Sequence, residues 1–274
     1  MAAAATPSMR TAPSATQRDD GLTVCGIAAL AFMLSDVLHQ GLGHACTALL
    51  TVSPFGMLTS AGWSSAYDNT LTDVAGPLVN LAAAAVFWLL LRSCKTASLQ
   101  TRLFLLLGCA FNLLTATGLA CFSSVTGFGD WTSIIAVAHR WDLRRVMLGV
   151  TGALAYRATL ALIGFGFVRY LGLAVAERRR IFRLTLAACL TLVIVSTLAA
   201  LMNSIGLKFL ALSDLVPTLA SCAGLLLVRW YLPKTTQPAV VPEPLTRSWL
   251  WIGISGALAI PFILVLGRGI TLSR

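Results

Sequence analysis

Long, nearly uncharged apolar runs constrain this chain more than any other feature. Seven of them, at about 22–50, 74–91, 103–123, 146–173, 181–203, 211–231 and 249–267, have the length that crosses the hydrocarbon core of a bilayer. Inside hydrocarbon every backbone N–H and C=O must be paired within the protein, and for runs of this kind that means helices. The expected fold is therefore all-α, a polytopic transmembrane helical bundle of about seven spans with the lipid bilayer as its first partner. Only 11% of the residues are charged, against about 25% in a soluble domain. No polar stretch is long enough to fold alone. Pro261 is expected to kink the last span.

The formal net charge of +10 would point to nucleic acid in a soluble protein. Here no nucleic-acid partner is expected, because the basic residues gather in loops. With the N-terminus inside, the tail, the 92–102 and 176–183 loops and the 229–247 segment hold twelve lysines and arginines against six on the other side. That bias places the N-terminus in the cytoplasm. The short stretch 132–138 is read as re-entrant or interfacial, because a true crossing there would move the Glu-Arg-Arg-Arg run at 177–180 outside. The seven cysteines form no C-x-x-C pair and read as small hydrophobes within the spans.

One run breaks its own apolar pattern. DVLHQGLGH (36–44) sets an aspartate, a glutamine and two of the three histidines inside the first span. Titratable groups at membrane depth need a partner, a cavity or a metal. On a regular helix a spacing of five turns His39 and His44 about 140° apart, whereas a spacing of four leaves about 40°. A π-bulge restores a shared face, and Gly41 and Gly43 ease its formation. The helix around 41–43 is therefore expected not to be regular α. Asp36, three residues before His39, falls on the same face and could orient that imidazole. In the inside-out frame above, Asp68, Asp73, Asn80, Asp130 and Asp214 all fall on the same outer side as the two histidines.

HQGLGHA (39–45) followed by AGPLVNLAAA (75–84) resembles the integral-membrane zinc metallopeptidases of the site-2 protease type. That family carries HExxH on one span and a Gly-Pro-x-x-Asn element on a later one. The resemblance covers about residues 30–135. It implies zinc as cofactor, His39 and His44 as metal ligands, and an aspartate further on, for which Asp130 in GFGDW is the candidate. Gly76, Pro77 and Asn80 match the second element, which shapes the site and receives the backbone of a membrane-embedded peptide or protein substrate. On this reading the chain divides into a disordered cytosolic tail (1–21), a metallopeptidase-like membrane core with an outer-face Gly-rich segment (22–145) and additional transmembrane helices (146–274).

The chain departs from the family at the general base. Gln40 stands where the family has a glutamate that takes a proton from metal-bound water, and an amide has no basicity for that step. Asp36 is the other catalytic candidate. Hydrolase activity is therefore expected to be weak or absent, and whether the chain is an enzyme stays open. Other readings of the same residues remain: two separately hydrogen-bonded histidines in a bundle, a proline in a small-residue first turn, an aspartate in a turn. A non-catalytic membrane binding protein is one alternative function. A small-solute transporter is another, with Arg157, deep in the fourth run, lining a pathway.

Overall fold

The computed structural model describes residues 18–67, 69–94, 96–135, 142–173, 175–203, 216–234 and 243–274. The tail up to residue 17, Asp68, the end of the 132–138 stretch and Asp214 lie outside them. Among the described residues six helices are long and apolar enough to cross a membrane. The first is the continuous stretch Gly21–Thr51, made of α1 (Gly21–Val37), a π-helical segment (Leu38–Ala45) and α2 (Cys46–Thr51). Then follow α3 (Thr70–Ser93), α4 (Leu99–Thr126), the short α5 (Thr132–Ile135), α6 (Leu143–Leu171) and α7 (Arg178–Met202). The last long span joins α9 (Trp249–Pro261) to a second π-helical turn, Phe262–Leu266.

The expected span at 211–231 takes a different form. It is α8 (Val216–Cys222) continued by a 3-10 helix over Ala223–Trp230. A 3-10 helix rises about 2.0 Å per residue against 1.5 Å for α, so these residues reach farther than an α-helix of the same length. Six long spans and this shorter apolar helix thus stand, among the described residues, for the seven expected spans. Part of the 51–74 stretch, which leads from the first span to α3, is regular structure as well. It holds an antiparallel hairpin, β1 (Phe55–Thr59) and β2 (Gly62–Ser64), and β3 (Ile270–Ser273) adds to the other edge of β1.

Burial explains the arrangement. The most enclosed span is α4, which packs on α1, α3 and α6. Its Leu103, Leu106, Phe111 and Leu114 are fully buried and join Ile27 of α1, Ile163 and Phe167 of α6 and Ile181 of α7 in one apolar cluster. Phe111 meets Phe32 edge-on at 6.0 Å, and Phe32 meets Phe262 at 6.3 Å, which ties the first and last spans to the centre. Those two spans are also stapled at their starts. Asp20 accepts from Thr23 N (2.9 Å) as the cap of α1 and pairs with Arg247 Nε (2.9 Å), while Thr23 Oγ1 accepts from Ser248 N.

Candidate metal centre

His39 and His44 both lie in the π-helical segment, where i→i+5 bonding stacks residues five apart on one face; Cys46 N bonds Gly41 O in this register. The expected departure from α-helix is what brings the rings together. Their centroids are 4.8 Å apart, near perpendicular, and Nε2 faces Nε2 at 3.2 Å. Both side chains are almost fully buried.

The neighbouring span is shaped to receive them. A Cβ at Gly43 would come within 2.5 Å of Gly76 Cα, and a Cβ at Gly76 would fall on both imidazoles. Two glycines therefore let the backbones of the first span and α3 touch. Pro77, buried in the interior of α3, removes one N–H from the helical ladder in this turn. The Thr72 carbonyl there accepts from His44 Nδ1 at 2.7 Å. A carbonyl only accepts, so Nδ1 carries the proton and the neutral ring keeps its lone pair on Nε2. The Nδ1 of His39 is buried with no hydrogen-bond partner among the described residues.

Asp130 arrives from the turn after α4. Gly127 ends that helix in the left-handed region (φ +76°), Gly129 follows at φ +93°, and Thr132 Oγ1 donates to the Gly129 carbonyl. The Gly-rich segment folds the chain back so that Asp130 Oδ2 lies 3.0 Å from His39 Nε2 and 3.6 Å from His44 Nε2. It closes no hydrogen bond of good geometry with either ring.

Three electron-pair donors thus converge with sides of 3.0, 3.2 and 3.6 Å. Donors at about 2.0–2.2 Å from a tetrahedral ion sit about 3.3–3.6 Å from one another. His39, His44 and Asp130 form a group that could hold a metal ion. Without an ion one imidazole can donate to the other across the 3.2 Å gap, and with one the donor set of two imidazoles and a carboxylate suits a divalent cation.

A cavity of about 500 Å³ opens beside the triangle. Asp36, Gln40 and Asn80 all line it. Gln40 Oε1 and both amide atoms of Asn80 are buried with no hydrogen-bond partner among the described residues. Each such group costs about 1–3 kcal/mol to bury, so a cavity that keeps several of them is built for a polar occupant. Asp36 stands on the cavity wall, while the ring atoms of His39 are turned to Asp130, His44 and Gly76. Asp73 also lines the cavity; Arg157 does not, being exposed on the outer face of α6.

Two contributions escaped the sequence reading. The Thr72 carbonyl has no side-chain signature. Gly62 and Trp63 line the cavity from the hairpin, whose one local cue was the Ser60-Ala61-Gly62 turn. No family model, no curated protein and no solved structure matches the chain.

Proposed function

We propose that this chain is a multi-pass membrane metalloprotein of the site-2 protease type, with zinc as its ion and with weak or absent peptidase activity. The observation that carries the reading is the convergence of His39 Nε2, His44 Nε2 and Asp130 Oδ2 within 3.0–3.6 Å of one another at the mouth of a polar cavity. Zinc held there would supply Lewis acidity and lower the pKa of water in its open coordination position. The chain's own residues do the rest. Thr72 fixes the tautomer of His44, and Asn80 offers a buried donor and acceptor, the pair that an extended peptide backbone presents in reverse. Gly76 and Pro77 shape the wall on which that backbone would lie.

Gln40 favours binding over hydrolysis. Its amide sits in the cavity where the family has a carboxylate, and general-base assistance is worth roughly 100- to 10,000-fold. Asp36, on the same wall, is the remaining proton acceptor. This supports a second reading, a non-catalytic membrane binding protein on the same scaffold. The loop charges support a cytoplasmic N-terminus, with the centre toward the outer face.

Elemental analysis of the purified chain, paired with cleavage of a membrane-embedded reporter, tests these readings. One zinc per chain is expected in the wild type and in Gln40→Glu, and none in His44→Ala. Gln40→Glu is expected to cleave faster than the wild type. A wild type without zinc sinks the metal reading. Zinc with no cleavage by either protein replaces the peptidase with the binding protein.

A further inference from the structure

The opposite end of the bundle carries a site of another kind. Arg178, Arg179 and Arg183 at the start of α7 and Arg229 at the end of the 3-10 helix surround a cavity of about 560 Å³, with Phe182 and Trp230 as its remaining walls. Arg229 is held between the two aromatic rings, its Cζ 4.3 Å from the centre of Phe182 and 4.1 Å from that of Trp230. Its Nε is buried with no hydrogen-bond partner among the described residues. Trp230 is exposed, as are Arg178, Arg179 and Arg183.

Four guanidiniums around one cavity repel one another unless an anion joins them, and the described residues provide none. Arg180, in the same run, turns away and makes a two-pronged pair with Asp19 at 2.6 and 2.8 Å. Among the described residues no carboxylate lies within ion-pair distance of the other four arginines.

The location narrows the missing anion. The starts of α1, α7 and α9 meet here, joined by Asp19–Arg180 and Asp20–Arg247, so the cavity lies where the apolar spans end. Tryptophan and arginine together at that depth match the headgroup layer, and arginine forks match phosphate oxygens.

We propose that this cavity binds the phosphate of an anionic lipid headgroup. The guanidiniums take the phosphate oxygens, Arg229 is pre-set by its two rings, and Trp230 lies along the acyl boundary. A free phosphate would satisfy the same groups, so the test separates the two sources.

The full chain in a neutral detergent is titrated with phosphatidylglycerol, with phosphatidylcholine of the same tails, and with inorganic phosphate, and bound lipid is read by native mass spectrometry. Phosphatidylglycerol is expected to bind tightly with one molecule per chain, and phosphatidylcholine weakly. Each arginine beside a headgroup is worth roughly a factor of five, so the triple variant Arg179→Gln, Arg183→Gln, Arg229→Gln should lose about a hundredfold. Arg144→Gln, at the far end of the bundle, should lose nothing. Should the triple variant not fold, Arg183→Gln alone, an exposed position, is expected to weaken binding about fivefold. Displacement of the lipid by millimolar inorganic phosphate supports the site with a free phosphate as source, and lack of displacement supports it with the lipid. Equal binding of the two lipids by the wild type, or undiminished binding by the variants, overturns it.

Discussion

Two of the long spans contain a π-helical turn, and the two turns carry different side chains. Leu38–Ala45 holds two histidines, a glutamine and two glycines; Phe262–Leu266 is wholly apolar. Their causes differ as well. In the first, an extra residue between the histidines is absorbed where glycines resist little. In the second, Pro261 removes an N–H and Gly267 N reaches back to Phe262 O at 3.0 Å. The backbone device is the same, and only the first turn aims polar atoms at a cavity. The second aims the chain: it leads through Gly269 (φ +104°) into β3, which pairs with β1 beside that cavity. A bulge in a membrane helix is therefore no signature of chemistry by itself.

Gly76→Ala should break this contrast most severely, because the added methyl falls on both imidazoles. Zinc affinity is expected to drop roughly 10- to 100-fold or more, with about 1–3 kcal/mol of lost stability from overpacking. Equilibrium dialysis and thermal unfolding read the two effects, and unaltered zinc binding would contradict the geometry of the centre. Deleting Leu42 sharpens the contrast. The spacing becomes four, a regular α-turn then carries both rings on one face, and the rest of the span keeps its register. Zinc binding within about tenfold of the wild type is expected, as for a change outside the ligands. Complete loss would show that the bulge does more than align two rings.

The outline of the fold was legible in the sequence because lipid permits few solutions: runs of this length and polarity become helices. The bulge was legible too, since a spacing of five conflicts with a shared face and two glycines stand where it can be resolved. The hairpin was not. Phe55–Thr59 is stabilised by a partner at 270–273, and no local pattern announces a pairing so remote. Asp130 was legible as a residue in a Gly-rich turn, but its approach to the histidines depends on how α4 packs against the first span and α3. Thr72 acts through a backbone carbonyl, which every residue has.

Pro261→Ala tests the apolar turn. The restored N–H favours regular helix, so β3 should lose hydrogen-exchange protection while zinc content stays at the wild-type value. A fall in zinc would mean that the two turns are coupled. The smallest effect concerns the staple that joins the two bulged spans at their other ends. The carboxyl of Asp20 is held below its ordinary range, first by the Thr23 backbone N–H, which burial opposes, and then by the Thr23 hydroxyl and Arg247. Its folded value is the depressed one, so its contribution is complete above the ordinary carboxylate range and disappears as pH falls through the lowered value. Asp20→Asn should therefore be slightly less stable than the wild type at pH 6 and equal to it once Asp20 itself is protonated. A gap that persisted unchanged in strong acid would assign the effect to something other than charge.

The pairing of β1 with β3 also fixes an order of events. Met57 faces Thr271, and the other five long spans lie between them in the chain. Closing a loop of that size is entropically costly and slow beside the formation of any single helix. The hairpin at 55–64 must wait, one edge of β1 unpaired, until the last long span has entered the bilayer and released β3 beside it. During synthesis the hairpin that lends Thr59, Gly62 and Trp63 to the cavity wall thus lacks one of its neighbours, and the sheet is finished only when insertion is.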